Sequence, residues 1–141
     1  MFVTCGIGVL NVSQKSLAFA SAGNPEVYHF HRETGEVQAL GVTGVPLGMP
    51  LDLNGMDVFG STETPLGFGD AVLFISDGIE EAQDHTEDFY GQERLMSVIA
   101  ERSRQRASAE GLRDAIVADV REFLGDVPQE DDLTVVVLRV G

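Results

Sequence analysis

The sequence is poor in cations, in cysteine and in long apolar runs. Lysine and arginine together number 9 against 23 aspartates and glutamates, a net charge of −14. A surface of that sign repels a phosphate backbone and an anionic bilayer, which argues against a nucleic-acid partner and against membrane association. The single cysteine, Cys5, excludes an intrachain disulfide framework and with it a stapled secreted domain. No uncharged apolar stretch reaches the roughly 18 residues that a spanning helix needs, so no membrane insertion is expected. The longest uncharged stretch, residues 37–51, holds Pro46, Pro50 and three glycines, as a loop does. No basic region precedes an apolar core at the amino end, where the first cation is Lys15. No signal peptide is read there, and the default compartment is the cytoplasm.

What remains is the composition of one folded domain. A chain of 141 residues with 43% hydrophobic and 23% charged residues has ordinary globular usage. Charge of this size without low hydrophobicity is not the signature of disorder. The expected organisation is a single domain over residues 1–141.

Along the chain, turn signals divide short strand-like runs. Phe2–Leu10, Ser16–Ala22 and Glu26–His31 are rich in apolar and β-branched residues. Glu33-Thr34-Gly35-Glu36 predicts a hairpin turn, with Gly35 free to take positive φ, before a return strand over 37–40. Residues 41–56 have no clear period, and Val58–Pro65 reads as a further strand. Ala71-Val72-Leu73-Phe74-Ile75 is continuous and apolar, as a strand covered on both faces is. Two helices follow, over 92–106 and 109–124, where Leu95, Met96, Val98 and Ile99, then Leu112, Ala115, Ile116, Val120 and Phe123, recur at helical spacing. Ser108 is the expected N-cap and Gly125 the expected stop. Leu133–Val140 closes the chain as a strand. This order predicts an α+β fold, a β meander then a helix pair on one face of a mainly antiparallel sheet.

Two acidic loci stand out by placement. Asp77 follows the buried strand and precedes a glycine; Asp131-Asp132 precedes the last strand. If those two strands are antiparallel neighbours, Asp77 and Asp131, 131 − 77 = 54 residues apart, meet at one sheet edge. Hard cations such as Mg²⁺ or Mn²⁺ take carboxylate oxygen and keep several waters, so one or two carboxylates can hold such an ion. The same residues also fit ordinary turns. His29 and His31 alternate on one strand face, but no third ligand of matching spacing is visible, so they read as a solvent-facing pair. His85 falls in a polar loop. Cys5, with no charged neighbour, reads as a small core residue and not a nucleophile. Ser76 lacks a Gly-x-Ser-x-Gly context.

Read together, AVLFISDGIEEA (71–82), FYGQERL (89–95) and PQEDDLTVVVL (128–138) resemble the C-terminal half of the SpoIIE-type, RsbU-like phosphatases of the PPM family. The start MFVTCGIGVL, Asn24-Pro25 after Ala22-Gly23, and GVPLG (44–48) fit the same pattern. The resemblance implies part of the PPM β-sandwich and metal-dependent hydrolysis of phosphoserine or phosphothreonine by activated water, with two Mn²⁺ or Mg²⁺ ions in a full domain. It implies metal ligands at Asp77 and at Asp131, with Asp132 the alternative within one residue of register. Glu81 matches an acidic position that assists a third ion in some relatives, and otherwise reads as a solvated loop acid. It further implies a bacterial signalling role, with a phosphorylated anti-sigma-factor antagonist of the STAS type as the substrate class.

Two departures qualify it. The family's earlier Gly-Asp-x-x-Gly-His-Gly-like motif, source of a bridging carboxylate, is not found in these residues; Gly125-Asp126-Val127 does not replace it. Ala22-Gly23-Asn24 stands where relatives usually have Ala-Gly-His. The expectations that follow are an incomplete domain, weak or absent metal binding by this chain alone, and self-association through an exposed sheet edge. The rival reading is a non-catalytic, phosphatase-like interaction module. A simple acidic ion-binding domain lacks EF-hand spacing.

Overall fold

A computed structural model describes residues 1–23, 27–42, 44–49 and 58–141. Among them are seven strands, β1 (Cys5–Asn11), β2 (Ser16–Ala22), β3 (Val27–His31), β4 (Glu36–Leu40), β5 (Ser61–Pro65), β6 (Ala71–Ile75) and β7 (Val135–Arg139). Three helices accompany them, α1 (Asp77–Glu80), α2 (Gly91–Arg104) and α3 (Ala109–Leu124). The chain divides into two compact units, Met1–Glu26 with Leu40–Leu66, and Val27–Ala39 with Gly67–Gly141.

The first unit carries a sheet of order β1-β2-β5, antiparallel throughout. A polar turn joins β1 to β2, where the Asn11 side chain accepts a hydrogen bond from the Gln14 N–H at 3.0 Å. Leu17 and Phe19 of β2 are buried. On β1, by contrast, Ile7, Val9 and Leu10 are exposed at 58%, 61% and 45%. Cys5 is half-buried at the start of this strand, so the core placement expected for it is corrected.

The second unit carries a sheet of order β4-β3-β6-β7, so the mainly antiparallel sheets expected from the sequence are two, and the strands of the β meander are shared between them. The β3–β4 turn closes with the Gly35 N–H donating to the His31 carbonyl at 2.8 Å, and Gly35 takes φ 73° as its sequence predicts. β6 lies between β3 and β7 and pairs antiparallel with both, which is why its sequence is apolar on both faces. Register places Tyr28 opposite Leu73 and Phe30 opposite Ala71. These residues and Ile75 pack in one core with Leu95 and Ile99 of α2 and Leu112, Ile116 and Val120 of α3. Each such fully buried aliphatic side chain contributes roughly 1.5–3 kcal/mol.

The helices form where periodicity placed them. The Ser108 hydroxyl accepts the Gly111 N–H at 3.1 Å as the N-cap of α3, and Gly125 ends that helix at φ 57°. Arg94 of α2 pairs with Asp119 of α3 at 2.8 and 3.2 Å, and Tyr90 donates to the same carboxylate at 2.8 Å. The Arg94 guanidinium also lies 5.3 Å from the Tyr90 ring centre and 5.1 Å from that of Phe123. Burial and Asp119 raise the Tyr90 hydroxyl far above its ordinary pKa, so it stays a donor. No helix of the described residues is long and apolar enough to cross a membrane.

Candidate functional site

The antiparallel pairing of β6 with β7, Ile75 opposite Val135, carries the chain ends of both strands to one edge. There Ser76 fastens the two segments together. Its N–H donates to the Thr134 carbonyl at 3.0 Å. Its hydroxyl donates to the Asp132 carbonyl at 2.9 Å and accepts the Thr134 N–H at 3.0 Å. The next residue, Asp77, opens the one-turn helix α1, which no periodicity in the sequence marks.

Gly78 makes the approach possible. A Cβ built there would lie 2.6 Å from the Asp132 carbonyl oxygen and 3.3 Å from the Asp131 Cβ. No larger residue fits without moving backbone, so the glycine after Asp77 serves close contact with the second acidic segment. Asp77 and Asp131 each hold one carboxylate oxygen on a neighbouring N–H, Gly78 at 3.0 Å and Asp132 at 2.7 Å. The second oxygen of each has no protein partner among the described residues. Asp77, Glu81, Asp131 and Asp132 are all exposed, so their charges bear no large desolvation cost.

The two neighbouring aspartates differ. Asp131 presents its side chain beside Gly78, and Asp132 presents its carbonyl to Ser76. Asp131 and Glu81 line a cleft of about 500 Å³ with Gly78, Ala82, Asp84 and His85, among others. Below it, Glu80 accepts a hydrogen bond from the Tyr28 hydroxyl, which Gln92 also reaches at 3.1 Å. α1 is thereby tied to β3 and α2. Nothing in the sequence separates Glu80 from Glu81; only the helical turn sends one inward and one out. Asn24, the departure from the family pattern, lies outside the described residues.

Tested against a hard divalent cation, this donor set fits in kind: carboxylate oxygens, exposed, on two segments held at contact by a glycine. It does not amount to a closed ligand cage. Among the described residues, the group with three donor atoms all within 4.8 Å of one another is His29, His31 and Asp70.

That group corrects the expectation of a solvent-facing histidine pair. His29 is fully buried and His31 half-buried. Their ring centres are 3.8 Å apart, and His29 Nε2 lies 2.9 Å from Asp70 Oδ2. Asp70 also accepts the N–H of Arg32 at 2.7 Å and of Gly67 at 2.8 Å. Burial pushes the Asp70 carboxyl up, but these N–H donors and His29 together hold it below its usual range. Burial, with the neighbouring His31, lowers the His29 pKa against the opposing pull of Asp70. Asp70 is the third donor that the sequence hid. It stands 41 residues from His29, and only the β3–β6 register joins them.

Comparison with known proteins agrees with this architecture. A family model described as Stage II sporulation protein E (SpoIIE) matches residues 1–141. Protein IcfG of Synechocystis sp. is 25% identical over 136 residues, which are 96% of this chain and 20% of that protein. The SiaA-PP2C domain of Pseudomonas aeruginosa superposes with a TM-score of 0.74 at 27% identity, over 96% of this chain and 51% of that one. The manganese-presoaked phosphatase domain of SpoIIE from Bacillus subtilis superposes with a TM-score of 0.68 at 19% identity, over 97% of this chain and 56% of that one. The chain thus spans about half the length of these solved domains and a fifth of IcfG. Antiparallel sheets, a helix pair on one of them, and a match running from the first residue to the last agree on one conclusion: the chain belongs to the SpoIIE family, a SpoIIE/RsbU-like branch of the PP2C/PPM phosphatase domains.

Proposed function

We propose that the chain is the C-terminal portion of a PPM-type protein serine/threonine phosphatase, one domain over residues 1–141. Its reaction is hydrolysis of a phosphoserine or phosphothreonine monoester on a bacterial signalling protein in the cytoplasm. The observation that carries this reading is the glycine-permitted contact between the Asp77 and Asp131 segments at one end of β6 and β7. Asp77 and Asp131 are the residues that would hold Mn²⁺ or Mg²⁺, and the manganese-presoaked SpoIIE domain supports that choice of ion. Such an ion supplies an activated water and neutralises phosphate charge. The Asp131 Cβ, 3.3 Å from the Gly78 position, supports Asp131 over Asp132 as the second ligand. Glu81, on the cleft wall, is positioned to assist a further ion. Ser76 and Gly78 fix the spacing, and Glu80 with Tyr28 fixes the helix turn that presents Asp77. Family membership supports a phosphorylated STAS-type anti-sigma antagonist as the substrate class.

Four exposed acids without a closed three-donor group favour weak ion binding by this chain alone, and with it the alternative of a non-catalytic interaction module. Phosphate release from a phosphoserine peptide with Mn²⁺ distinguishes the readings. It is measured on this chain and on one extended to the full length of its solved relatives. The enzyme reading expects activity in the extended form that Asp77→Asn and Asp131→Asn each abolish. Activity indifferent to both substitutions, or absent from both forms, overturns it.

A further inference from the structure

We propose that His29, His31 and Asp70 form a separate site for a transition-metal ion of the Zn²⁺ class. Alternate residues of a strand project to the same side, so β3 aims both imidazoles one way. Asp70, in the turn that opens β6, completes three donors within 4.8 Å. Two nitrogens and one oxygen suit Zn²⁺ or Co²⁺; Mg²⁺ prefers oxygen throughout.

The carboxylate is already oriented. The backbone N–H groups of Arg32 and Gly67 hold its two oxygens at 2.7 and 2.8 Å, independently of either histidine. Outer contacts of this kind preorganise metal ligands. At present a proton fills the 2.9 Å gap between His29 Nε2 and Asp70 Oδ2. Two ligands at about 2.0–2.1 Å from a tetrahedral ion stand about 3.3 Å apart, so a few tenths of an ångström of opening lets the ion replace that proton. Nε2 gives up its proton while Nδ1 takes one up, so the ring binds as a neutral imidazole with no net proton released, the carboxylate keeps its charge, and a water takes the fourth position. Half-buried His31, whose Nε2 rests 3.3 Å from Gln38 Oε1, is the point of entry. Arg139 stands near enough to Asp70 for its charge to be felt there and oppose a cation, which sets the affinity below that of a dedicated structural zinc site.

The test is a Co²⁺ titration of the folded chain, followed by visible absorption and competed with Zn²⁺. One Co²⁺ per chain with ligand-field bands that Zn²⁺ abolishes is expected, and excess Mg²⁺ leaves the bands in place. His31→Gln, at a half-exposed position that spares the core, weakens binding about tenfold or more. The Asp77→Asn/Asp131→Asn double variant binds as before, which separates this site from the carboxylate pair at the β6–β7 edge. Absence of Co²⁺ bands, undiminished binding by His31→Gln, or loss of binding in the double variant overturns the proposal.

Discussion

Gly78 shows how much a single missing Cβ can decide. With 2.6 Å to the Asp132 carbonyl, Gly78→Ala forces the two acidic segments apart. Its expected cost is about 1–3 kcal/mol in urea denaturation, with weaker Mn²⁺ binding in the same sample. Ser76→Ala removes one donor and one acceptor between these segments and is expected to cost about 1–2 kcal/mol. A Ser76→Ala midpoint equal to wild type would mean that the staple is replaced by solvent. At this scale the sequence exposed only part of the site. The Asp-Gly and Asp-Asp runs are adjacent in sequence and could be matched as motifs. The Ser76 staple, the inward turn of Glu80 and the Asp70–His29 contact depend on strand register, which no local pattern carries.

Elements were more legible than contacts. β2, β6 and α3 match the ranges their periodicity predicts, because each buries a regular stripe and is bounded by a turn or cap. β1 and β7 are shorter than expected: Val3 makes only an isolated bridge to Leu47, and Val140 bonds to the turn residues Gly69 and Asp70, outside the regular ladders. The β3–β6 and β2–β5 pairings, which split the meander into two sheets, arise from long-range packing. Leu112→Ala, at a fully buried position of α3, is expected to lower stability by about 2–5 kcal/mol. The α2–α3 link adds an acid dependence. The Arg94 side chain is the main cause that holds Asp119 below its ordinary carboxylate range, with Tyr90 helping. Folded Asp119 therefore binds its proton less readily than in the unfolded chain. Its stabilising share is present above the unfolded value of about 3.9 and is lost as pH falls through the lower folded value. Denaturation midpoints measured downward from pH 5 fall less steeply for Asp119→Asn than for wild type. Equal slopes would show that solvent already screens the Arg94 pair.

For the molecule as a whole, net charge and family membership pull in different directions from surface exposure. A charge of −14 keeps chains apart, yet β1 offers Ile7, Val9 and Leu10 on a strand with one neighbour among the described residues. An apolar edge of this kind associates edge to edge. Light scattering is expected to show mass rising with concentration at high salt, where repulsion is screened, and Val9→Lys to abolish the rise. A monomer under all conditions, high salt included, would show that β1 does not associate even when repulsion is screened, and would overturn the prediction. The central claim concerns the other sheet, where β6 meets β7. It is tested most directly by adding substoichiometric Mn²⁺ to the isotopically labelled chain and reading which amide resonances broaden. The account predicts that Gly78 and Asp132 broaden first, and that Asp77→Asn with Asp131→Asn removes the effect. Broadening spread over the acidic surface, or unchanged by that double substitution, would contradict it.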